Sequence, residues 1–481
     1  MNYRMIFNII GKIICVEAVF MLPALLISLA GGEMKAVLGL ALAMVLMLAL
    51  GLPAALKKPA RSDMYARDGF ATVGLAWLLV SAFGALPFFI SGAIPNYIDC
   101  LFETVSGFTT TGATILGNVE AMPKGLLYWR SFSHWLGGMG VLVFVLALSP
   151  LTAKDSGESM HLLRAESPGI KITKLVPRMR RSATILYTIY IALTVLEFLF
   201  LVFDMPVFDA VTLTFGTAGT GGFAVRNDGL ASYSAYSQWV ITAFMLIFGV
   251  NFNVYFYLIL REVRKAVKNE ELWAYGIIVT AAIIVITVNI SGSFTTFEET
   301  VRAAAFHVAS IVSTTGYGTV DFNLWPALSK TILLLLMFMG GCAGSTAGGA
   351  KVVRLTVMLK SARVSIHRAL HPGSVKLIHM DGDCLDDDTV DSVKSYMMIY
   401  FIIIACVFLL ISVDGMSIET NFSAAVSCVN NVGPGLDAVG PTVSYGSYSW
   451  FSKIVLTFAM LIGRLEIYPM LLLLTPATWR K

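Results

Sequence analysis

Long apolar runs recur down the whole of this 481-residue chain, and they limit what it can fold into more than any motif does. They lie near 13–30, 36–56, 70–93, 127–149, 183–203, 236–260, 273–291, 329–358, 392–413 and 450–475. A helix of about 20 apolar residues crosses the ~30 Å hydrocarbon layer of a bilayer. Only 13% of residues are charged, against about 25% in soluble domains, so the runs read as bilayer spans. The first run follows Arg4 and Lys12 and ends in Ser28-Leu29-Ala30, loosely like a signal peptide. It is long for that role and a second apolar run follows at once, so a retained span is expected.

The loops sort by charge. One group holds Lys57, Lys58, Arg61 and Arg67. Others hold Lys154 through Arg181, Arg261 through Lys268, and Lys351 through Lys376. The alternate loops are poor in Lys and Arg and carry Asp99, Glu103, Asp204, Asp209, Glu298, Glu299, Asp414 and Glu419. The positive-inside rule puts the basic loops and both termini in the cytoplasm. Four short amphiphilic pieces, near 98–110, 207–219, 299–314 and 418–431, then fall on the outer side. They are too short to span and fit re-entrant segments.

Each short piece ends in a glycine-bearing turn. The third, Ser313 to Val320 (STTGYGTV), resembles the potassium-channel loop that replaces an ion's water with rings of backbone carbonyls. Such a ring needs four loops. Aligning on Gly316 gives Thr110-Thr111-Gly112, Gly219-Thr220-Gly221, Thr314-Thr315-Gly316 and Asn431-Val432-Gly433. A serine stands six residues before the anchor in three cases, Ser106, Ser310 and Ser427, while the second has Phe215. The unit span–short helix–glycine loop–span therefore occurs four times in one chain, a periodicity that marks internal repeats. The expected fold is an all-α polytopic membrane protein with four such repeats around one pore and two extra N-terminal helices. Its divisions are 1–67 for the extra helices, then 68–180, 181–271, 272–391 and 392–481 for the repeats and their cytoplasmic loops.

The stretches FETVSGFTTTGAT (102–114), RSFSHWLGGMGVLV (130–143), STTGYGT (313–319), GGCAGSTAGGAKVVR (340–354) and GRLEIYP (463–469) together resemble the Trk/Ktr/HKT family of potassium transporters, most of all its bacterial Trk branch. The resemblance covers nearly the whole chain. It implies a single K+ pathway lined by Gly112, Gly221, Gly316 and Gly433, in the inner or single membrane of a bacterium. It implies a homodimer in membrane lipid bound to a cytosolic ring of nucleotide-binding regulatory subunits, so that ATP, ADP or NAD(H) would act only through that ring. Glycine at all four anchors resembles the potassium-selective members.

Two features lie inside spans. Residues 339–351 carry Gly340, Gly341, Gly344, Gly348 and Gly349. Glycine costs a helix ~1 kcal/mol apiece, so continuous helix is not expected there. The composition alone fits a flexible loop or close helix packing through small residues. The resemblance makes Gly344, Ser345, Thr346, Ala347, Gly348 and Gly349 an intramembrane gate. Arg464 sits in the last span, where a charge must face water or protein; with the resemblance it reads as part of that gate, a fixed positive charge below the filter. The run is not a phosphate loop, since Ala350 separates Gly349 from Lys351 and Val352 follows it. Histidines, cysteines and carboxylates do not converge into a catalytic or metal cluster in the sequence, so no enzyme, resident cofactor or nucleic-acid partner is expected. A secondary transporter coupled to H+ or Na+ is the alternative, although its inverted repeats are not expected where all the repeats share one orientation.

Overall fold

The computed structural model describes residues 1–57, 65–140, 179–374 and 376–479. Most of the second basic loop and the end of the 127–149 run lie outside the described residues.

Helices Tyr3–Phe20 and Leu22–Ala30 form the first span, and Met34–Leu56 the second. The first starts ten residues before the expected Ile13. Its polar Asn8 is accommodated because the side-chain amide donates to the carbonyls of Ala55 and Lys57, at 2.7 and 3.0 Å. A Cβ on Gly11 would meet Ala54 and the backbone of Ala55, so the small residue lets the two helices pack closely.

Four units follow. The first runs from Ala66–Gly84 and Leu86–Ile90 through the short helix Tyr97–Phe108 to Lys124–Gly138. The second has Met179–Leu201, the short helix Val207–Gly219, then Ala235–Phe248 and Phe252–Ile259. The third has Glu270–Asn289, the short helix Phe297–Val312, then Ala327–Met339 and Val352–Leu370. The fourth has Asp387–Ile411, the short helix Ile418–Asn430, then Trp450–Arg464 and Tyr468–Leu474. Local sequence starts these short helices. Asn96 and Ser417 cap the first and fourth, accepting from Ile98 N and Thr420 N, at 3.0 and 3.1 Å. Thr296 and Glu299 make a capping box on the third, and Pro206 precedes the second.

Among the described residues, three of the expected continuous spans are broken by more than a single residue. The 236–260 run bends by 89° between Phe248 and Phe252. The 329–358 run opens between Met339 and Val352, as its glycines require. The 450–475 run stops at Arg464 and restarts at Tyr468 through Glu466 and Ile467, both with positive φ. The exception to all-α among the described residues is a two-residue hairpin, His379–Met380 against Asp383–Cys384. Of the aspartates near it, Asp387 and Asp388 occupy the first turn of Asp387–Ile411, where they oppose the positive end of the helix dipole.

Candidate functional site

The four short helices end in turns of one shape. A residue in the left-handed region is followed two positions later by a glycine with positive φ: Thr110 and Gly112 (φ 55° and 79°), Thr220 and Gly222 (56° and 74°), Thr314 and Gly316 (56° and 84°), Asn431 and Gly433 (55° and 101°). In each turn the amide of the middle residue donates back to the helix: Thr111 to Ser106, Gly221 to Gly216, Thr315 to Ser310 and Val432 to Ser427, at 2.8–2.9 Å. The anchor of the second turn is therefore Gly222, not Gly221, and Gly219 belongs to the end of the helix. The serine position holds Gly216 rather than Phe215. Its missing side chain leaves room for the Tyr317 hydroxyl, which a Cβ on Gly216 would strike. The run of glycines around Thr220 carried no signal that could have fixed this register.

The turns interlock. A Cβ on Gly112 would collide with the Gly221 carbonyl, on Gly222 with that of Thr315, on Gly316 with that of Val432, and on Gly433 with that of Thr111. Contact thus runs from the first turn through the second, third and fourth and back to the first. Positive φ and this close approach together explain why glycine stands there. All four anchors line one cavity of about 290 Å³, which also meets Tyr317 and Tyr445.

Buried polar groups brace the turns. Arg130 pairs with Glu103 at 2.7 Å, both buried, and donates to the Ala224 carbonyl at 3.0 Å. Glu103 also accepts from Thr114 Oγ1 and Ile115 N, both at 2.9 Å. One ion pair therefore holds the chain beyond both the first and the second turn. His134 lies between the Gly107 carbonyl (2.7 Å from Nδ1) and the Phe223 amide (3.2 Å from Nε2). A carbonyl only accepts and an amide only donates, so the ring is neutral with its proton on Nδ1. Sequence reasoning missed Arg130 and placed Glu103 only as an acidic loop residue. Further out, the Ser417 and Thr420 hydroxyls donate to Asp437, at 2.5 and 2.7 Å, and hold its carboxyl below the usual range.

The 340–351 segment lies against the ring on the side away from the cavity. Gly348 N donates to Thr314 Oγ1 at 2.6 Å, and a Cβ on Gly348 would strike the Asn430 carbonyl. Ser345 closes a turn onto the Cys342 carbonyl at 2.6 Å. Gly344 accepts from Phe252 N, and Cys342 N donates to Gly249, at 3.1 and 2.9 Å, so the bend of the second unit cradles the segment. Gly349 packs against Gly340 where the segment folds back. Lys351 Nζ donates to the Ala347 carbonyl. Arg464 donates to the Thr346 carbonyl at 2.8 Å, to Gly138 at 2.7 Å, and to Gly137. Its neighbour Glu466 pairs with Arg354, whose guanidinium lies 3.9 Å over the Tyr396 ring. Arg464 thus bridges the segment to the end of the first unit by way of carbonyls.

Interrupted spans, four re-entrant helices and a ring of backbone turns define a polytopic membrane transport protein. The family model for TrkH, a cation transport protein, matches residues 39–274 and 270–480, and the chain belongs to that family. It is 33% identical over its full length to the whole of the Trk system potassium uptake protein TrkH of Halomonas elongata. It is 33% identical to TrkH of Escherichia coli K12, with 88% of each chain covered. The crystal structure of the potassium transporter TrkH from Vibrio parahaemolyticus superposes with a TM-score of 0.88 at 30% identity over all of both chains. These relatives are named as transport proteins, not enzymes.

Proposed function

We propose that the chain takes up potassium ions through the centre of the glycine ring, which acts as a carbonyl-lined selectivity filter. The filter residues are Thr110–Gly112, Thr220–Gly222, Thr314–Gly316 and Asn431–Gly433, and the outer chamber is the cavity they share. The observation that carries this reading is the closed succession of four turns, each glycine seated on its neighbour's carbonyl. Non-helical backbone at membrane depth is tolerated where it lines a watery path. The short helices end at the turns, and their partial negative charge favours a cation there. The names of the relatives supply the ion.

The segment 344–349 with Arg464 is the gate. It closes the path on the cytoplasmic side, and the guanidinium adds a positive barrier until the segment moves. Both termini face the cytoplasm from a bacterial inner membrane, a placement that the charge of the basic loops supports. The protein works as a homodimer, and a cytosolic ring of nucleotide-binding subunits docks on its basic cytoplasmic face and controls the gate.

The test is growth of a potassium-uptake-deficient bacterium on low potassium, with this chain and its cognate regulator. Growth is expected. Absence of rescue by a chain that inserts in the membrane overturns the reading.

A further inference from the structure

Glu271 is the second residue of Glu270–Asn289, and it is 1% exposed. Its Oε1 accepts from Ala343 N at 2.7 Å and from Val353 N at 3.0 Å. Ala343 lies inside the break between Met339 and Val352, and Val353 lies in the first turn of the helix that follows it. The Asn251 side chain, in the bend that cradles the segment, accepts from Asn253 N at 2.9 Å and lies beside Gly344. One side chain, that of Glu271, therefore ties the break and the helix after it to a third helix, Glu270–Asn289.

We propose that Glu271 is the positioning residue of the gate: by accepting from Ala343 N and Val353 N it holds the loop in its closed position across the path. This rests on the assignment of 344–349 as the gate. The physical reason is the cost of burying amides without acceptors. At a break in a helix the ladder cannot satisfy Ala343 N and Val353 N, and Glu271 does. If the carboxyl is removed, the two amides are stranded as long as the loop lies closed. Any state that exposes them to water is then favoured, because an unmade buried hydrogen bond costs more than a made one returns. The nearby anchors do not replace Glu271. Arg464 and Thr314 hold the middle of the loop, at Thr346 and Gly348, and the backbone bonds at Cys342 and Lys351 use other amides, so Ala343 N and Val353 N have Glu271 as their acceptor.

The experiment compares rubidium uptake into proteoliposomes by the wild type, Glu271→Ala, Glu271→Gln and a chain lacking 344–348, each without regulator. Glu271→Gln keeps an acceptor oxygen and is expected to stay near wild type. Glu271→Ala is expected to raise basal flux on the order of tenfold or more, since one charged hydrogen bond lost from the closed state already implies about that and two are lost here. Its apparent KM and rubidium-over-sodium preference should not change, because the ring is untouched. Deleting 344–348 should raise flux at least as much. If the deletion raises flux and Glu271→Ala does not, the positioning role is overturned and the gate stands. If the deletion leaves flux unchanged, the gate itself is overturned and this inference falls with it. A Glu271→Ala protein whose selectivity collapses, or a Glu271→Gln protein that behaves like Glu271→Ala, also overturns the inference. The first shows a general packing role and the second shows that an acceptor oxygen is not what matters.

Discussion

At the residue scale, two positions decide most. Arg464 donates to the 340–351 segment at Thr346 and to the first unit at Gly137 and Gly138. Arg464→Gln shortens that reach and removes the charge. We expect rubidium uptake without regulator to rise by about tenfold, as one charged hydrogen bond lost from the closed state implies. Unchanged uptake removes the barrier role. Gly112 sits with φ 79° against the Gly221 carbonyl. Gly112→Ser must push that carbonyl aside, so sodium should compete with potassium more strongly in an uptake assay. Equal discrimination before and after would mean that the first turn does not set selectivity. Arg130 is different, because its work is structural. Arg130→Ala leaves Glu103 buried without its cation, and a loss of about 3–5 kcal/mol is expected. The check is the denaturation midpoint in detergent.

At the scale of elements, hydropathy and charge made the spans and the short helices legible, because each is a long or a capped apolar segment in this chain. The breaks were legible only where composition forced them. Glycines announced the opening after Met339, whereas Glu466 and Ile467, with positive φ, interrupt a run that reads as continuous helix. The 89° bend near Asn251 has a local part, the Asn251 side chain that caps Phe252–Ile259, and a tertiary part that the sequence does not show, the Cys342 and Gly344 contacts of another unit. The second turn was misaligned by one residue for a similar reason. Gly219, Gly221 and Gly222 are locally interchangeable, and the neighbours' carbonyls choose among them. Outside the membrane, Asp437 ties the fourth short helix to the loop beyond its turn. Its folded pKa is depressed, so its contribution is complete above the ordinary carboxylate range, near pH 4, and is lost as pH falls through the lower folded value. A midpoint measured against pH should therefore fall on acidification in the wild type, and the fall should be smaller in Asp437→Asn.

At the scale of the molecule, the driving force separates a simple pore from a coupled carrier. A membrane potential contributes about 2.3 kcal/mol per charge per 100 mV. Proteoliposomes held 100 mV negative inside should then accumulate potassium about fifty-fold and no further. Accumulation well beyond that limit, or a requirement for a proton or sodium gradient, identifies the coupled alternative.

The ring also has an order of assembly. Gly433, in the last unit to be synthesised, rests on the Thr111 carbonyl of the first. A ribosome must therefore finish nearly the whole chain before the circle can shut. On the proposed function, unfinished or prematurely terminated products keep an open seam where the filter would close. Quality control that removes such fragments would protect the cell's ionic balance as much as its supply of folded protein.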